Sequence, residues 1–353
     1  MKVRKFLSAI GLAGLAFCVT SCSPDDEPPI ILDGPEGAEG LFVVCEGNWG
    51  YGNSSVSFID TDNYTVANEV FQRANGQKLG DTAESMTIHG DMAWIVVNTS
   101  GVVFAVDKDT YVERGRVENL VSPRFIHFVS DDKAYLTDMY SNEVLIIDPK
   151  TYSVSGRIAI NSPAEEIVQD GRYVYVNCWS YGREIVKIDT VTDQVVSTLN
   201  VGIQPRSIAL DDEGDLWALC DGGSWEGNPV GYVAPTLVCV DLDTFTATKT
   251  FTFTLGDNVS RLVTDATGRN LYWLNNGVYK MSIDASAAPS APFIERDGTT
   301  YYALTVSPDN GDIFIGDAVD YMQNGAVYRY DATGTYKDSF TVGVLPSNFC
   351  WKN

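Results

Sequence analysis

The stretch Glu143–Ile160, EVLIIDPKTYSVSGRIAI, decides the fold because the rest of the chain repeats its pattern. A hydrophobic run ends in Ile-Asp, a Pro-Lys-Thr turn follows, and a second segment alternates apolar and polar residues. This pattern predicts two strands joined by a turn. The hydrophobic-Asp ending recurs every 41–52 residues, at Ile59-Asp60, Val106-Asp107, Ile147-Asp148, Ile188-Asp189, Val240-Asp241, Ile283-Asp284 and Tyr330-Asp331. Because four strands in about 40–45 residues are typical of a propeller blade, the sequence predicts an all-β, seven-bladed β-propeller.

The chain enters this predicted ring in the middle of a blade. Leu41–Cys45 has the pattern of a blade's second strand but no first strand precedes it. Ser347–Trp351, near the other end, has the pattern of a first strand with no second strand after it. We therefore expect a propeller over residues 41–353, closed by the C-terminal strand joining the N-terminal blade, which removes exposed strand edges.

The first residues have the pattern of an export signal. Three basic residues precede an apolar run from Phe6 to Val19, which is too short for a membrane-spanning helix. The segment Val19-Thr20-Ser21-Cys22 resembles a bacterial lipobox. We therefore expect a lipoprotein signal peptide over residues 1–21, lipidation at Cys22, and a lipidated acidic tether over residues 22–40.

The acidic residues just after Cys22 bear on location. Asp25, Asp26 and Glu27 resemble the signal that sends some Gram-negative lipoproteins to the outer face of the outer membrane. A solvated acidic linker explains the same residues, and the two interpretations are compatible. The predicted location is the outer membrane, lipid-anchored and facing the cell exterior, with membrane contact through the N-terminal lipid anchor only.

The charge of the chain excludes one class of partner. It has 47 acidic against 24 basic residues and a formal net charge of −23. Such a surface repels phosphate backbones, so we expect no nucleic-acid partner.

The cysteines after the lipobox show no metal-binding spacing. They form no C-x-x-C pair, and with two histidines in the whole chain a zinc site is not expected. The repeat places Cys220 beside Cys239 and Cys45 beside Cys350 on neighbouring strands. Disulfides are permitted in an exported protein, but burial as small apolar residues is the favoured interpretation.

Some blade motifs resemble those of a known family. Tyr173–Asn177 (YVYVN), Ala134–Asp138 (AYLTD) and Gly202–Arg206 (GIQPR) are similar to the repeats of YVTN-type, YncE-like seven-bladed propellers, often called surface-layer proteins. With a lipobox and an acidic tether, the resemblance extends to a group that includes surface lipoproteins capturing cobalamin. It implies a ligand-binding protein that takes cobalamin or a related corrinoid and delivers it to a TonB-dependent outer-membrane transporter.

The strand directions of a blade place the loops between its second and third strands on the same face as the connections between blades. In this chain those segments carry large aromatics and arginines, which suit a binding surface around the channel mouth. The candidate ligand-binding residues are Trp49, Tyr51, Arg124, Tyr140, Trp179, Tyr181, Arg206, Trp225, Tyr232, Arg261, Tyr302 and Tyr321. Alternatively, the aromatics pack their own loops, and Arg124 or Arg206 pairs with Glu84 or Glu165 as part of the structure.

Polar residues also end the second strands: Glu46, Asn98, Asp138, Asn177, Asp221, Asn275 and Asp317. Such groups ligate Ca²⁺ in lactonase-type propellers, but Asn and Asp are equally the usual residues for leaving a strand, and the turn role is favoured. His89 and His127 fit no catalytic triad. We expect no enzyme activity and no cofactor. The alternatives to ligand capture are a scaffold that binds protein or glycan at the cell surface and, less favoured, a Ca²⁺-dependent hydrolase.

Overall fold

The computed structural model describes residues 38–296 and 300–352, and these residues form seven four-stranded antiparallel sheets. The signal peptide, Cys22 and most of the tether lie outside the described residues. Within the described residues, no helix is long and apolar enough to span a bilayer.

The strands follow one another in chain order through the blades. The first three blades along the chain contain β1 (Gly40–Cys45), β2 (Ser55–Asp60) and β3 (Thr65–Ala67), then β4 (Ala83–His89), β5 (Met92–Val97), β6 (Val102–Asp107) and β7 (Glu113–Val117), then β8 (Pro123–Ser130), β9 (Lys133–Asp138), β10 (Glu143–Asp148) and β11 (Ser153–Ala159). A short helix, α1 (Val70–Asn75), lies in the connection between β3 and β4.

The next blades repeat this order. They contain β12 (Ile167–Asp170), β13 (Tyr173–Asn177), β14 (Glu184–Asp189) and β15 (Gln194–Asn200), then β16 (Pro205–Leu210), β17 (Asp215–Cys220), β18 (Thr236–Asp241) and β19 (Thr246–Thr252), then β20 (Ser260–Thr264), β21 (Asn270–Leu274), β22 (Gly277–Ser282) and β23 (Ile294–Glu295), and finally β24 (Tyr301–Val306), β25 (Ile313–Asp317), β26 (Asn324–Tyr330) and β27 (Tyr336–Val344). In each blade after the first, the first strand along the chain is the inner strand, and successive inner strands contact one another.

The last strand completes the first blade. β28 (Pro346–Lys352) pairs antiparallel with β1, with Gly40 opposite Lys352 and Phe42 opposite Cys350. The predicted closure of the ring by the C-terminal strand is therefore confirmed, and so is the seven-bladed, all-β fold.

The blades pack on one another through apolar side chains. The aromatic of each second strand is buried, as its position in an apolar run indicates; these residues are Phe42, Trp94, Tyr135, Tyr175, Trp217, Tyr272 and Phe314. They form the core between blades.

The cysteines of the described residues are unbridged. Cys45, Cys178, Cys220 and Cys239 are buried, Cys350 is half-buried, and none forms a disulfide. Cys45 and Cys350 do lie on paired strands, as do Cys220 and Cys239, so the predicted neighbourhood is confirmed without a covalent bond. Burial raises the pKa of each of these thiols to about 12.

Candidate functional site

The inner strands share an irregularity at the end nearest one mouth of the channel. In β4 the register shifts between Ala83 and Ser85, so Glu84 has no residue opposite it on β5. The shift recurs at Arg124 in β8, Arg206 in β16, Arg261 in β20, Tyr302 in β24 and Ser347 in β28. An extra residue in one strand re-aims its side chain, and bulges of this kind are common beside binding sites.

In the blade whose inner strand is β12, a similar irregularity lies just before that strand. The backbone N–H of Glu165 donates to Asn177 O at 3.0 Å, and the N–H of Asn177 donates to Glu166 O at 3.3 Å. Glu165 and Glu166 therefore lie opposite the single residue Asn177. Their two carboxylates occupy the position that one side chain occupies in the other blades.

With the exception of Ser347, these side chains line a cavity of about 470 Å³ at the channel mouth. The loops between second and third strands complete its wall, as the strand directions predict. Its lining residues are Glu46, Trp49, Thr82, Glu84, Asn98, Thr99, Val121, Ser122, Arg124, Met139, Tyr140, Glu165, Glu166, Trp179, Arg206, Ser207, Arg261 and Tyr302. A smaller hollow of about 180 Å³ adjoins it and shares Arg206 and Tyr302 with it.

Arg124 is held by carboxylates on both sides. Its Nε donates to Glu165 Oε2 at 2.9 Å and its Nη2 to Glu165 Oε1 at 2.5 Å, while its Nη1 donates to Glu84. All three side chains are nearly buried, at 12% exposure for Arg124, 3% for Glu84 and 8% for Glu165. Burial alone lowers the pKa of Arg124, but the two carboxylates outweigh it and the net direction is upward. The alternative that Arg124 pairs across blades is therefore correct for this residue.

Arg206 is held by an aromatic ring instead. Its guanidinium lies 5.6 Å from the centroid of the Trp179 ring, within the range of a cation–π contact. Trp179 in turn donates its Nε1 to Asp221 Oδ2 at 2.9 Å. No carboxylate among the described residues lies within 4.0 Å of Arg206.

Arg261 adopts the same kind of arrangement in the next blade. It has a left-handed backbone with φ of 56°, its Nε donates to Tyr302 O at 3.0 Å, and its guanidinium lies 5.4 Å from the Tyr302 ring centroid. Within residues 38–296 and 300–352 it too has no ion pair. A left-handed conformation at a non-glycine residue is strained, and such strain concentrates at binding sites.

Burial raises the pKa of three acids of the cavity, Glu46, Glu84 and Glu166. Burial raises the pKa of Glu166 to about 7, although the Ile208 N–H, Arg261 and Ser207 all oppose the shift. Near neutral pH the cavity therefore carries less negative charge than its four carboxyl groups suggest.

The structure brings together more than half of the residues predicted for the site. Trp49, Arg124, Tyr140, Trp179, Arg206, Arg261 and Tyr302 line the cavity. Tyr321 lies in the adjoining hollow, and its ring meets that of Tyr302 edge-on with the centroids 5.9 Å apart.

The other predicted residues lie elsewhere. Tyr51 is exposed on the loop that carries Trp49, and Tyr181 lines a separate hollow with Arg183 and Glu184. Trp225 and Tyr232 lie on the long loop after β17 and are not part of the cavity lining. Within this loop Asn228 Nδ2 donates to Gly223 O at 2.7 Å, and the same group also donates to Gln204 just before β16.

Sequence reasoning did not single out Ser207, Met139, Val121, Thr82 or Thr99. Ser207 is the most informative of them, because its hydroxyl donates to Glu166 Oε2 at 2.9 Å and accepts the Leu262 N–H at 3.1 Å. Its position directly after Arg206 in an inner strand is the signal that was available.

The polar residues that end the second strands mostly shape turns. Asp138 accepts the N–H groups of Ser122, Tyr140 and Ser141 at 2.8–3.0 Å, and Asp317 accepts those of Thr300 and Val319. In the described part of the chain, no group of three or more His, Cys, Asp or Glu side chains is arranged to hold a metal ion.

The histidines lie on inner strands away from the cavity lining. His127 Nε2 lies 2.8 Å from Gln169 Oε1, and burial lowers its pKa. His89 stacks on Phe128 with ring centroids 4.2 Å apart. Both histidine side chains therefore contact other residues of the fold.

The fold is shared with solved propellers at low sequence identity. A quinonprotein alcohol dehydrogenase-like protein from Bacteroides thetaiotaomicron superposes with a TM-score of 0.71 at 15% identity, covering 90% of this chain and 79% of that one. The periplasmic gluconolactonase of Pseudomonas aeruginosa gives 0.66 at 14% identity, covering 89% and 99%. Hydrazine synthase of Kuenenia stuttgartiensis gives 0.60 at 17% identity, covering 75% and 88%. At these identities the likeness shows the fold alone.

Comparison by sequence identifies a family. No protein with a curated function matches the chain. The family model described as "Domain of unknown function (DUF5074)" matches residues 39–344, which is nearly the whole propeller. The chain therefore belongs to the DUF5074 family.

Proposed function

We propose that this protein captures a small ligand in the cavity at the channel mouth and acts as a binding protein without a catalytic step. The observation that carries the proposal is the set of strand irregularities that direct Glu84, Arg124, Arg206, Arg261 and Tyr302 into one cavity. Each interruption disrupts the hydrogen-bond ladder of its blade, and its repetition around the ring directs these side chains to one place. The volume of about 470 Å³ lies in the usual range for small-molecule sites.

The wall of the cavity supports the same proposal. Trp49 is 80% exposed and Tyr140 is 73% exposed, although both line the cavity. Large aromatic rings left in water at the edge of a polar cavity gain free energy when a ligand covers them. Rigid rings also lose little conformational entropy on binding.

A corrinoid is the specific ligand that we propose. Its phosphate and amide groups match the arginines and acids of the cavity, and its broad ring would extend over Trp49 and Tyr140 at the edge. With the predicted lipid anchor, capture at the cell surface would precede delivery to a TonB-dependent transporter.

Calorimetric titration with cyanocobalamin tests this proposal. We expect saturable binding that the Trp49→Ala/Tyr140→Ala double variant weakens by about tenfold or more, since hot-spot aromatics contribute at least about 1.4 kcal/mol. The Trp225→Ala/Tyr232→Ala double variant is the matched control, because it removes the same ring types from a loop outside the cavity, and it should bind as the unmodified protein does.

Other outcomes would favour the alternatives. If no heat is released and a surface protein or glycan still binds, the scaffold function replaces capture. Hydrolysis of a lactone above the background rate, abolished by a Ca²⁺ chelator, would replace it with an enzyme of lactonase type.

A further inference from the structure

The arginines of the cavity differ in whether their charge is neutralised. Arg124 lies between two buried carboxylates. Arg206 and Arg261 occupy the equivalent shifted position of their inner strands, yet neither has a carboxylate within 4.0 Å among the described residues. The charge of Arg124 therefore serves the fold, whereas two guanidinium groups remain available to a ligand.

The two available arginines are held next to each other. They lie on the neighbouring inner strands β16 and β20, and the residues that follow them are joined by a hydrogen bond from the Leu262 N–H to Ser207 Oγ at 3.1 Å. Ser207 is only 2% exposed, so this link is protected from water. Both guanidinium groups line the same cavity.

Each guanidinium is also oriented in advance. Arg206 lies over the Trp179 ring, and Arg261 lies over the Tyr302 ring while its Nε is bonded to Tyr302 O. A guanidinium whose position is fixed loses less entropy when it binds an anion, and its planar donors match the two oxygens of a carboxylate or phosphate.

The nearby acids compete weakly for these charges. Glu166 already accepts the Ile208 N–H at 2.8 Å and the Ser207 hydroxyl. Burial raises the pKa of Glu166 to about 7, so this group is incompletely ionised near neutral pH, and burial also raises the pKa of Glu46. A fully ionised external anion would therefore be the better partner for Arg261.

Resting on the ligand-capture function proposed above, we propose that Arg206 and Arg261 form an oxyanion subsite that binds the carboxylate or phosphate group of a small organic anion. The rest of the ligand then lies against the apolar part of the wall, formed by Val121, Met139 and Tyr140. Arg124 takes no part in this contact.

Three small ring compounds test the subsite directly by calorimetry on the purified protein. Phenyl phosphate and benzoate carry the two oxyanions, and benzamide is the neutral counterpart of benzoate. We expect saturable binding of at least one anion and binding of benzamide that is weaker by about tenfold or more, as for the loss of a charge-assisted contact. The tighter of the two anions identifies whether the subsite favours phosphate or carboxylate.

Variants then assign the contact to residues. Arg206→Gln/Arg261→Gln should weaken anion binding by about tenfold or more, whereas Arg206→Lys, which keeps the charge, should weaken it less. Arg157→Gln is the matched control, because Arg157 is 57% exposed on the outer strand β11 and pairs with Glu143. It removes the same charge far from the cavity and should leave affinity unchanged. Thermal melting of each variant checks that it is folded.

The proposal is overturned if benzamide binds as tightly as benzoate, if neither anion saturates, or if the folded double variant binds the anions unchanged. Cyanocobalamin separates this failure from that of the proposed function. Corrinoid binding that persists in the double variant, without anion binding, removes the subsite and keeps ligand capture. Anion binding without corrinoid binding keeps the subsite and removes the corrinoid.

Discussion

Arg206 lies over the ring of Trp179, with 5.6 Å between the guanidinium carbon and the ring centroid, although the two residues belong to neighbouring blades. Trp179 comes from the loop after β13, and its indole N–H is bonded to Asp221 at the end of the next blade's second strand. The ring thus spans the boundary between two blades. The position of a cavity arginine therefore depends on how these blades are packed.

Replacing the ring that supports Arg206 should weaken ligand binding without unfolding the protein. We expect Trp179→Leu to reduce the affinity for phenyl phosphate by roughly two- to fivefold, since a cation–π contact at a partly exposed site contributes about 0.5–1 kcal/mol. Calorimetry measures the change, with Trp225→Leu as the control on a loop outside the cavity. Equal affinities in the two variants would show that Trp179 does not position Arg206.

Removing Arg124 should destabilise the ring. Arg124→Gln leaves Glu84 and Glu165 buried without their cation, and breaking a buried pair costs about 3–5 kcal/mol. Chemical denaturation near pH 8 measures the loss of unfolding free energy, and the loss should shrink at lower pH as the carboxyl groups become protonated.

A second substitution separates this ion-pair effect from simple loss of packing. Adding Glu84→Gln to Arg124→Gln should recover part of the lost stability, because one uncompensated carboxylate disappears. If the second substitution instead lowers stability by the amount it costs in the unmodified protein, the two residues are not coupled.

Much of the fold was predictable because its signals are local and repeated. The Ile-Asp strand endings fix the blade period, and the aromatic in each second strand fixes the buried face. The unpaired pattern of Leu41–Cys45 and Ser347–Trp351 was enough to predict how the ring closes, and the pairing of β1 with β28 confirms it.

For the cavity, the sequence predicted only the face of the propeller on which it lies. Residues at the start of inner strands converge on the axis whatever their type, so Arg206, Arg261 and Tyr302 could be placed near the mouth. The groups that these side chains contact could not be predicted. Arg124 and Arg206 both follow a proline, yet carboxylates from other blades pair only with Arg124.

Loop aromatics were the least predictable group. Trp225 and Trp49 both lie in glycine-containing loops of the same face, but Trp49 lines the cavity and Trp225 does not. The longer loop has internal bonds, such as that from Asn228 to Gly223. Nothing in its composition distinguishes such self-contacts from contacts with the mouth.

The cysteine thiols should be unreactive in the folded protein. Burial raises the pKa of Cys45, Cys178 and Cys220 to about 12, so little thiolate exists at pH 8. We expect a thiol reagent such as DTNB to modify these residues only after denaturation, and a reducing agent to leave the melting temperature unchanged. A melting temperature that falls in reductant would indicate a disulfide instead.

Stability should decrease as pH rises through the neutral range. Burial raises the pKa of Glu166 from its usual 4.5 to about 7, so the protonated form is favoured in the folded state. Its stabilising contribution is complete below about pH 4.5 and is lost as pH rises through 7. Denaturation between pH 5 and 8 measures this slope, and Glu166→Gln should reduce it, leaving the part that comes from Glu84, whose pKa burial also raises.

Other carboxyl groups stabilise the protein as pH rises, but their effect lies outside the range from pH 5 to 8. Hydrogen bonds, chiefly from the Thr110 N–H to Asp107 and from Arg172 to Asp189, lower the pKa of each aspartate to about 2. Their stabilising contribution is complete above about pH 4 and is lost only in more acidic solution. A slope that Glu166→Gln leaves unchanged between pH 5 and 8 would mean that Glu166 titrates normally.

Deleting residues 346–353 should abolish cooperative folding, because β28 contacts three blades at once. It pairs with β1 along its length, Trp351 Nε1 donates to Thr305 Oγ1 at 2.9 Å in the last blade, and Lys352 pairs with Asp109 in the second. Its loss would expose the fully buried strand β1 as an open edge, which favours aggregation. We expect no sharp thermal transition and increased binding of an apolar dye. Deleting residues 23–37 is the control, since the predicted tether precedes the first strand, and it should melt as the intact protein does; an unchanged transition in the C-terminal deletion would refute closure by β28.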